Sequence, residues 1–428
     1  MNHIVGSEPT GTAQAGRISD GGDRREACPT SARELRASID RFAAWLARTQ
    51  GESHDPYDLW GTRYGLFSRR LYYAKHPLGV PLVAPLLLAE ILCPSVRALF
   101  VGKQRFATAD AQLALAFLNL HALTGEKKYL ARAETFAAHL LNTRIPGYSG
   151  HCWGYPFDWQ NNHGLWKRNT PFITATPYCF EVFLGLHDAT GERRHLEVAE
   201  SIARFVQNDL HDTPTSADAA AGSYSPNDHS QVLNASAYRV MVLAEAARRF
   251  NEPRYEQTAR RNLNFILQNQ REDGAWLYAL DHPSERFIDH FHTCFVLKNL
   301  VKVNRLWNDA AVTRAIAKGY EYYRRELFDA EGLPKSFTIQ PRTQLVKLEM
   351  YNFAEAITLG ALLKESIPAA FTHAQQLAAR LIANHQLADG HFTTRVYRGG
   401  WRHTFPFVRW PQSQIFYALT NLLRAEAK

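Results

Sequence analysis

Apolar and polar positions along this chain fall into long paired blocks. A stretch dense in Ala, Leu and Phe leads into a tight turn, and the turn into a stretch whose apolar residues recur at helical spacing between charges. The first kind of block predicts a helix enclosed on all sides, and the second an amphipathic helix with one covered stripe. The turn recurs with similar flanks at Leu123–Glu134 (LTGEKKYLARAE), Ala189–Glu200 (ATGERRHLEVAE) and Phe250–Arg260 (FNEPRYEQTAR). A weaker copy stands at Leu306–Ile316 and a degraded one at Lys364–Ala374. Copies lie about 57 to 66 residues apart, a period that suits a helical hairpin plus one long loop.

The enclosed helices are predicted over 107–124, 173–189, 230–250, 289–306 and 351–364, and their partners over 127–142, 193–209, 253–269, 309–327 and 368–385. A helix over 32–49 lacks a predecessor and one over 411–425 lacks a successor. Pairing these two ends closes six hairpins into a ring, an all-α (α/α)6 toroid with no need of capping repeats; an open solenoid is the alternative. The expected organisation is a disordered segment over 1–30, rich in Gly, Ser, Thr and charge, followed by a single toroid domain over 31–428. Links from enclosed to amphipathic helix are short and the return links long. All six enclosed helices then run the same way, so the long loops gather on one face above helix N-termini, which favour anions.

Composition narrows the function classes. Hydrophobic residues make up 46% of the 428, which excludes a disordered chain. No uninterrupted apolar run reaches the roughly 18 residues of a membrane span. The most apolar segment, 80–100, is broken by Pro81, Pro85 and Pro94 and carries Glu90 and Arg97, so it reads as a buried or peripheral helix with membrane-surface contact as an option. The 49 Lys and Arg exceed the 41 Asp and Glu by 8, a weak preference for an anionic partner. Basic residues fall mainly on the amphipathic helices, an ordinary solvated face, so nucleic acid is not expected. Five scattered cysteines without a CxxC pair read as reduced thiols, and an N-terminus without an apolar core reads as cytoplasmic. No phosphate loop, dinucleotide fingerprint, GxSxG or HExxH is present, so no cofactor and no metal are expected.

The candidate chemistry sits in the long loops. Between Gly147 and Tyr178, the aromatics Trp153, Tyr155 and Trp159 surround Asp158; such faces stack on sugars, and a carboxylate among them has the makings of a general acid. Asp228 is placed to cap a helix beginning at His229 or Ser230, with Tyr224, His229 and Asn234 near the mouth. Asp289, His290 and His292 open an otherwise apolar helix, and Asp289 and His292, three apart, share a face directed into the bowl. Arg409, Trp410 and Gln412 precede the last enclosed helix, where a guanidinium can grip a carboxylate. Asp158 and Asp289 form the expected acid/base pair, assisted by His229 and His292. The remaining residues are expected to bind substrate: Trp153, Tyr155, Trp159, Tyr224, Asn234, His290, Arg409, Trp410 and Gln412. For an epimerase, His229 and His292 would instead be the two bases.

Six segments in order, His54–Gly65, Cys152–Gln160, Thr170–Leu186, Tyr224–Ala235, Asp289–Leu300 and Arg409–Leu419, resemble the VpsJ-type proteins of bacterial exopolysaccharide clusters. The chain departs from that pattern at Cys294 and at Leu59-Trp60-Gly61, where the family carries Gly and Gly-Leu-Asn. A looser likeness links it to six-hairpin glycoside hydrolases, unsaturated-uronyl hydrolases and N-acylglucosamine epimerases. The resemblance implies cytoplasmic work in making or trimming a surface polysaccharide, beside other polysaccharide-assembly proteins, and carries no particular reaction. The site residues add the expectation of a carbohydrate-active enzyme of exopolysaccharide biosynthesis, glycosidase- or epimerase-like, acting on a sugar or acidic glycan. The alternative is a non-catalytic glycan-binding or scaffold subunit.

Overall fold

The computed structural model describes residues 30–161, 164–341 and 344–427. Of the segment 1–30 expected to be disordered, all but Thr30 lies outside them. The helices run α1 (Ala32–Thr49), α2 (Arg63–Tyr73), α3 (Gly79–Leu92), α4 (Ala107–Thr124), α5 (Lys127–Thr143), α6 (Thr176–Thr190) and α7 (Arg193–Asn208). They continue as α8 (Leu233–Phe250), α9 (Pro253–Gln268), α10 (His290–Trp307), α11 (Ala310–Glu326), α12 (Met350–Leu362), α13 (Pro368–His385) and α14 (Ser413–Glu426).

The recurring turn has one physical cause. Gly125, Gly191, Asn251 and Asn308 each stand just past a helix end in the left-handed region, at φ of 69°, 71°, 53° and 48°. There each backbone N–H donates to the carbonyl four residues back, on His121, His187, Ala247 and Asn304. Gly and Asn reach that conformation at little cost, so the turn is written where the chain reverses. An acidic residue follows at the cap of the next helix, Glu126, Glu192, Glu252 or Asp309, where the positive end of the dipole favours it.

Burial separates the two helix sets as their composition requires. On α12 every residue from Met350 to Ala361 is buried, whereas α7 buries only His195, Ala199, Ser201–Ala203, Phe205 and Val206. Helices α4, α6, α8, α10, α12 and α14 pack in succession, and α14 returns to α4. The molecule is an all-α (α/α)6 toroid. Closure is made by polar and aromatic contacts alike: Asn119 reaches Thr420 and Asn421, Ser413 reaches Gln112, and the rings of Phe42 and Phe416 stack at 4.8 Å. Helix α1, opened by a Ser31–Glu34 capping box, packs on α13 and α14.

Short strands occupy the loops: β1 (Trp159–Asn161) with β2 (Gly164–Trp166), β3 (Asp212–Pro214) with β4 (Ala220–Gly222), and β5 (Ile288–Asp289) with β6 (Phe337–Ile339). The last sheet is β7 (Val346–Glu349), β8 (Arg395–Tyr397) and β9 (Arg402–His403). Loop pairing also moves two predicted helix starts. Leu233 donates to Tyr278 O and Leu280 to Gln231 O, so α8 begins at Leu233 and not at 230. Ile173 donates to Tyr224 O, and α6 begins at Thr176. Asp228 therefore caps no helix. Its carboxylate instead accepts from the backbone of Tyr224, Ser225 and Ser230 and from the Ser230 hydroxyl, closing the loop on itself.

Candidate active site

The N-terminal ends of all six inner helices open into one cavity of about 820 Å³. Thr108 of α4, Tyr178 of α6, Tyr238 of α8, His292 and Phe295 of α10, Tyr351 of α12 and Gln414 of α14 form its floor and walls. Loops add Tyr57, Tyr155, Trp159, Trp166, Tyr224, Tyr278 and Trp410. Tyr351 and Trp410 stack face to face, centroids 4.1 Å apart and planes within 5°, presenting one flat apolar wall. Flat aromatic faces of this kind suit the apolar face of a pyranose.

One titratable pair stands out in this setting. Pairing with β6 fixes β5, whose last residue, Asp289, caps α10 by accepting the backbone N–H of His292 at 3.1 Å. The other carboxylate oxygen lies 2.7 Å from His292 Nδ1. Asp289 is buried and lines a small side pocket with Asn234 and His292 but not the main cavity, which His292 also lines. The carboxylate accepts from Nδ1 and so fixes the imidazole's tautomer, leaving the second ring nitrogen as the proton acceptor, the arrangement of an oriented proton carrier. Tyr278 and Phe291 pack on the ring at 4.5 and 4.3 Å.

Of the predicted site residues, Tyr155, Trp159, Tyr224, His229, His292, Arg409 and Trp410 line the cavity. His229 is exposed and stands at the rim, stacked on His211. Five other assignments are corrected. Asp158 does not line the cavity: it accepts from the Arg168 backbone at 2.7 Å, faces Lys167 Nζ at 3.5 Å, and so holds its own loop. Trp153 is buried in the core, its indole N–H donating to Leu140 O. His290 is buried behind the wall against the Tyr323 hydroxyl, and burial pushes it down to about 3. Gln412 clamps the Phe392 backbone through both ends of its amide. Asn234 lies behind the dyad, its buried amide without a hydrogen-bond partner beside Asp289.

Arg409 reaches the cavity already engaged. Its Nε and Nη2 meet Asp55 Oδ2 and Oδ1 at 2.5 and 2.8 Å in a buried, two-pronged pair, with the Tyr155 ring 4.9 Å away. A second buried pair, Lys298 with Glu355, stands behind Phe295 and Tyr178. Burial alone would lower the lysine, but the Glu355 carboxylate outweighs it and keeps the ammonium charged. Sequence reasoning missed Asp55, Lys298 and Glu355. The last two carried a signal: Glu355 is the lone charge of the apolar α12, Lys298 sits among apolar residues midway along α10, and the signs are opposite.

No family model matches the chain, and no curated protein matches it. Solved structures do. An unsaturated glucuronyl hydrolase specific for heparin aligns over 93% of this chain and 98% of its own, at 12% identity and a TM-score of 0.61. An α-mannanase of Bacteroides thetaiotaomicron aligns over 87% and 99%, at 11% identity and 0.59. A cellobiose 2-epimerase of Bacillus thermoamylovorans aligns over 76% and 88%, at 9% identity and 0.58. What these share with the chain is the fold. All three neighbours are carbohydrate-active enzymes by name, with different reactions, so the reaction must be argued from this chain's own side chains.

Proposed function

We propose that this chain is a carbohydrate-active enzyme whose proton-transferring group is His292, oriented by Asp289. The observation that carries the reading is the 2.7 Å Asp289–His292 contact at the edge of an aromatic cavity. The Tyr351–Trp410 wall would stack the sugar, with Tyr155, Trp159 and Tyr224 completing the sleeve. The Asp158–Asp289 pair expected for glycoside hydrolysis has less support, because Asp158 is spent on its loop and Asp289 acts through His292. An imidazole that takes a proton from a sugar carbon suits epimerisation or elimination instead.

The substrate we favour is a neutral sugar and not an acidic one. Arg409, the expected grip for an anion, is neutralised by Asp55, and the carboxylates of Asp228, Asp281 and Glu285 outnumber the one lysine of the lining, Lys167. The six-segment resemblance supports a place in exopolysaccharide biosynthesis on the cytoplasmic side, and free Cys93, Cys152, Cys179 and Cys294 agree with a reducing compartment.

The test is to incubate the protein in D2O with neutral mono- and disaccharides, N-acetylated hexosamines and glucuronides, and to follow deuterium entry at sugar carbons by NMR. Exchange that disappears in His292→Asn supports the reading. Saturable sugar binding without exchange or turnover in any member would replace it with the glycan-binding subunit.

A further inference from the structure

Helix α3 is folded inside out for a soluble surface. Of its fourteen residues only Gly79 and Glu90 are buried. Glu90 points inward to a buried ion pair with Arg97, which in turn meets Asp58 at 2.6 Å. The apolar residues face solvent: Val80 is 64% exposed, Leu88 55% and Leu92 62%. Leu99 at 80% and Phe100 at 68% extend the patch past the helix, and Tyr64 and Phe67 of α2 border it. The scaffold holds this arrangement: the Tyr64 hydroxyl donates to Leu82 O at 2.8 Å and the half-exposed Trp401 indole to Ile91 O at 3.0 Å.

The surrounding charge is one-sided. From residue 59 to residue 109 the sequence holds seven Lys or Arg against the single acid Glu90, so this segment carries six of the chain's eight excess positive charges. The exposed ones are Arg63, Arg70, Lys75 and Lys103, and no exposed acid accompanies them. No helix among the described residues is long and apolar enough to cross a membrane. At about 21 Å, α3 is shorter than a hydrocarbon core. A short apolar face ringed by cations, with a tryptophan at its edge, matches a bilayer interface rather than its interior.

We propose that α2, α3 and the turn through Phe100 form a docking surface for an anionic lipid bilayer. The leucines and Phe100 enter the headgroup boundary and the cations meet lipid phosphates. Tyr73 of α2 lines the cavity, so docking sets the bowl's mouth beside the lipid surface. The docking surface stands independently of what the bowl catalyses.

The test is co-sedimentation of the full chain with vesicles of equal parts phosphatidylglycerol and phosphatidylcholine, against phosphatidylcholine alone. Binding is expected to the anionic vesicles and to weaken with salt. Arg70→Gln/Lys75→Gln is expected to lower it about 25-fold, at about fivefold per cation, and Leu88→Ser/Leu92→Ser/Phe100→Ser at least about tenfold. Circular dichroism melts should be unchanged, because these side chains are exposed. Sedimentation that both variants retain overturns the proposal. So does failure to bind anionic vesicles, and a mass that doubles with concentration in light scattering would then assign the patch to a second copy of the chain.

Discussion

Arg409 and Asp55 lie 354 positions apart and form a buried, two-pronged ion pair at the cavity wall. Asp55 precedes the second helix and Arg409 the last inner one, so the pair ties the two ends of the chain across the seam of the ring. Its position assigns it to closure before any contact with substrate.

Asp55→Asn removes the charge and leaves a buried guanidinium uncompensated, which should destabilise the protein by about 3 to 5 kcal/mol in urea unfolding. Adding Arg409→Met should recover much of the loss. Additive losses in the double-mutant cycle would show that the pair does not couple the seam.

Asp289→Asn separates capping from chemistry, since Asn is as good a cap as Asp. The melting temperature should hardly move, while turnover of the sugar identified by exchange should drop by about 10²-fold or more, as in His292→Asn. A full-rate Asp289→Asn variant would leave the dyad without a role.

Buried histidines make stability fall in acid. Burial pushes His290 and His403 down to about 3 and His373 and His385 down to about 4. Below pH 6.5 the unfolded chain takes up protons that the folded chain refuses, so this contribution is whole above pH 6.5 and erodes as the pH falls toward 4. For His290 alone the loss between pH 6.5 and pH 5 is about 2 kcal/mol. Urea midpoints across that range should show it, and His290→Asn should flatten the slope by about one proton; an unchanged slope would refute the assignment.

Lys298→Met should cost about 3 to 5 kcal/mol by stranding the Glu355 carboxylate, whereas Lys298→Met/Glu355→Leu should lie close to wild type. Equal losses in the single and double variants would mean that the pair is needed for packing and not merely for mutual neutralisation.

The helices were legible because their information is local. The Gly and Asn of the repeated turns report left-handed backbone, and helical spacing of apolar residues reports the buried stripe, so α1, α4 and α13 have the bounds predicted from sequence. Site membership was only partly legible, because a loop residue's environment is set by chain far away. Asp158 and Asp289 look alike in sequence, each a carboxylate among aromatics. One is used up by the backbone of Arg168 ten residues on, while the other orients an imidazole.

By itself, then, the sequence determined the period and the two classes of helix and favoured a closed ring over an open solenoid, all consequences of short-range backbone preference and of apolar area seeking cover. Only the tertiary structure decided which charges cancel. Arg409 met Asp55 and Lys298 met Glu355 because burial penalises any unpaired charge, and partners 354 residues apart cannot be read from spacing along the chain.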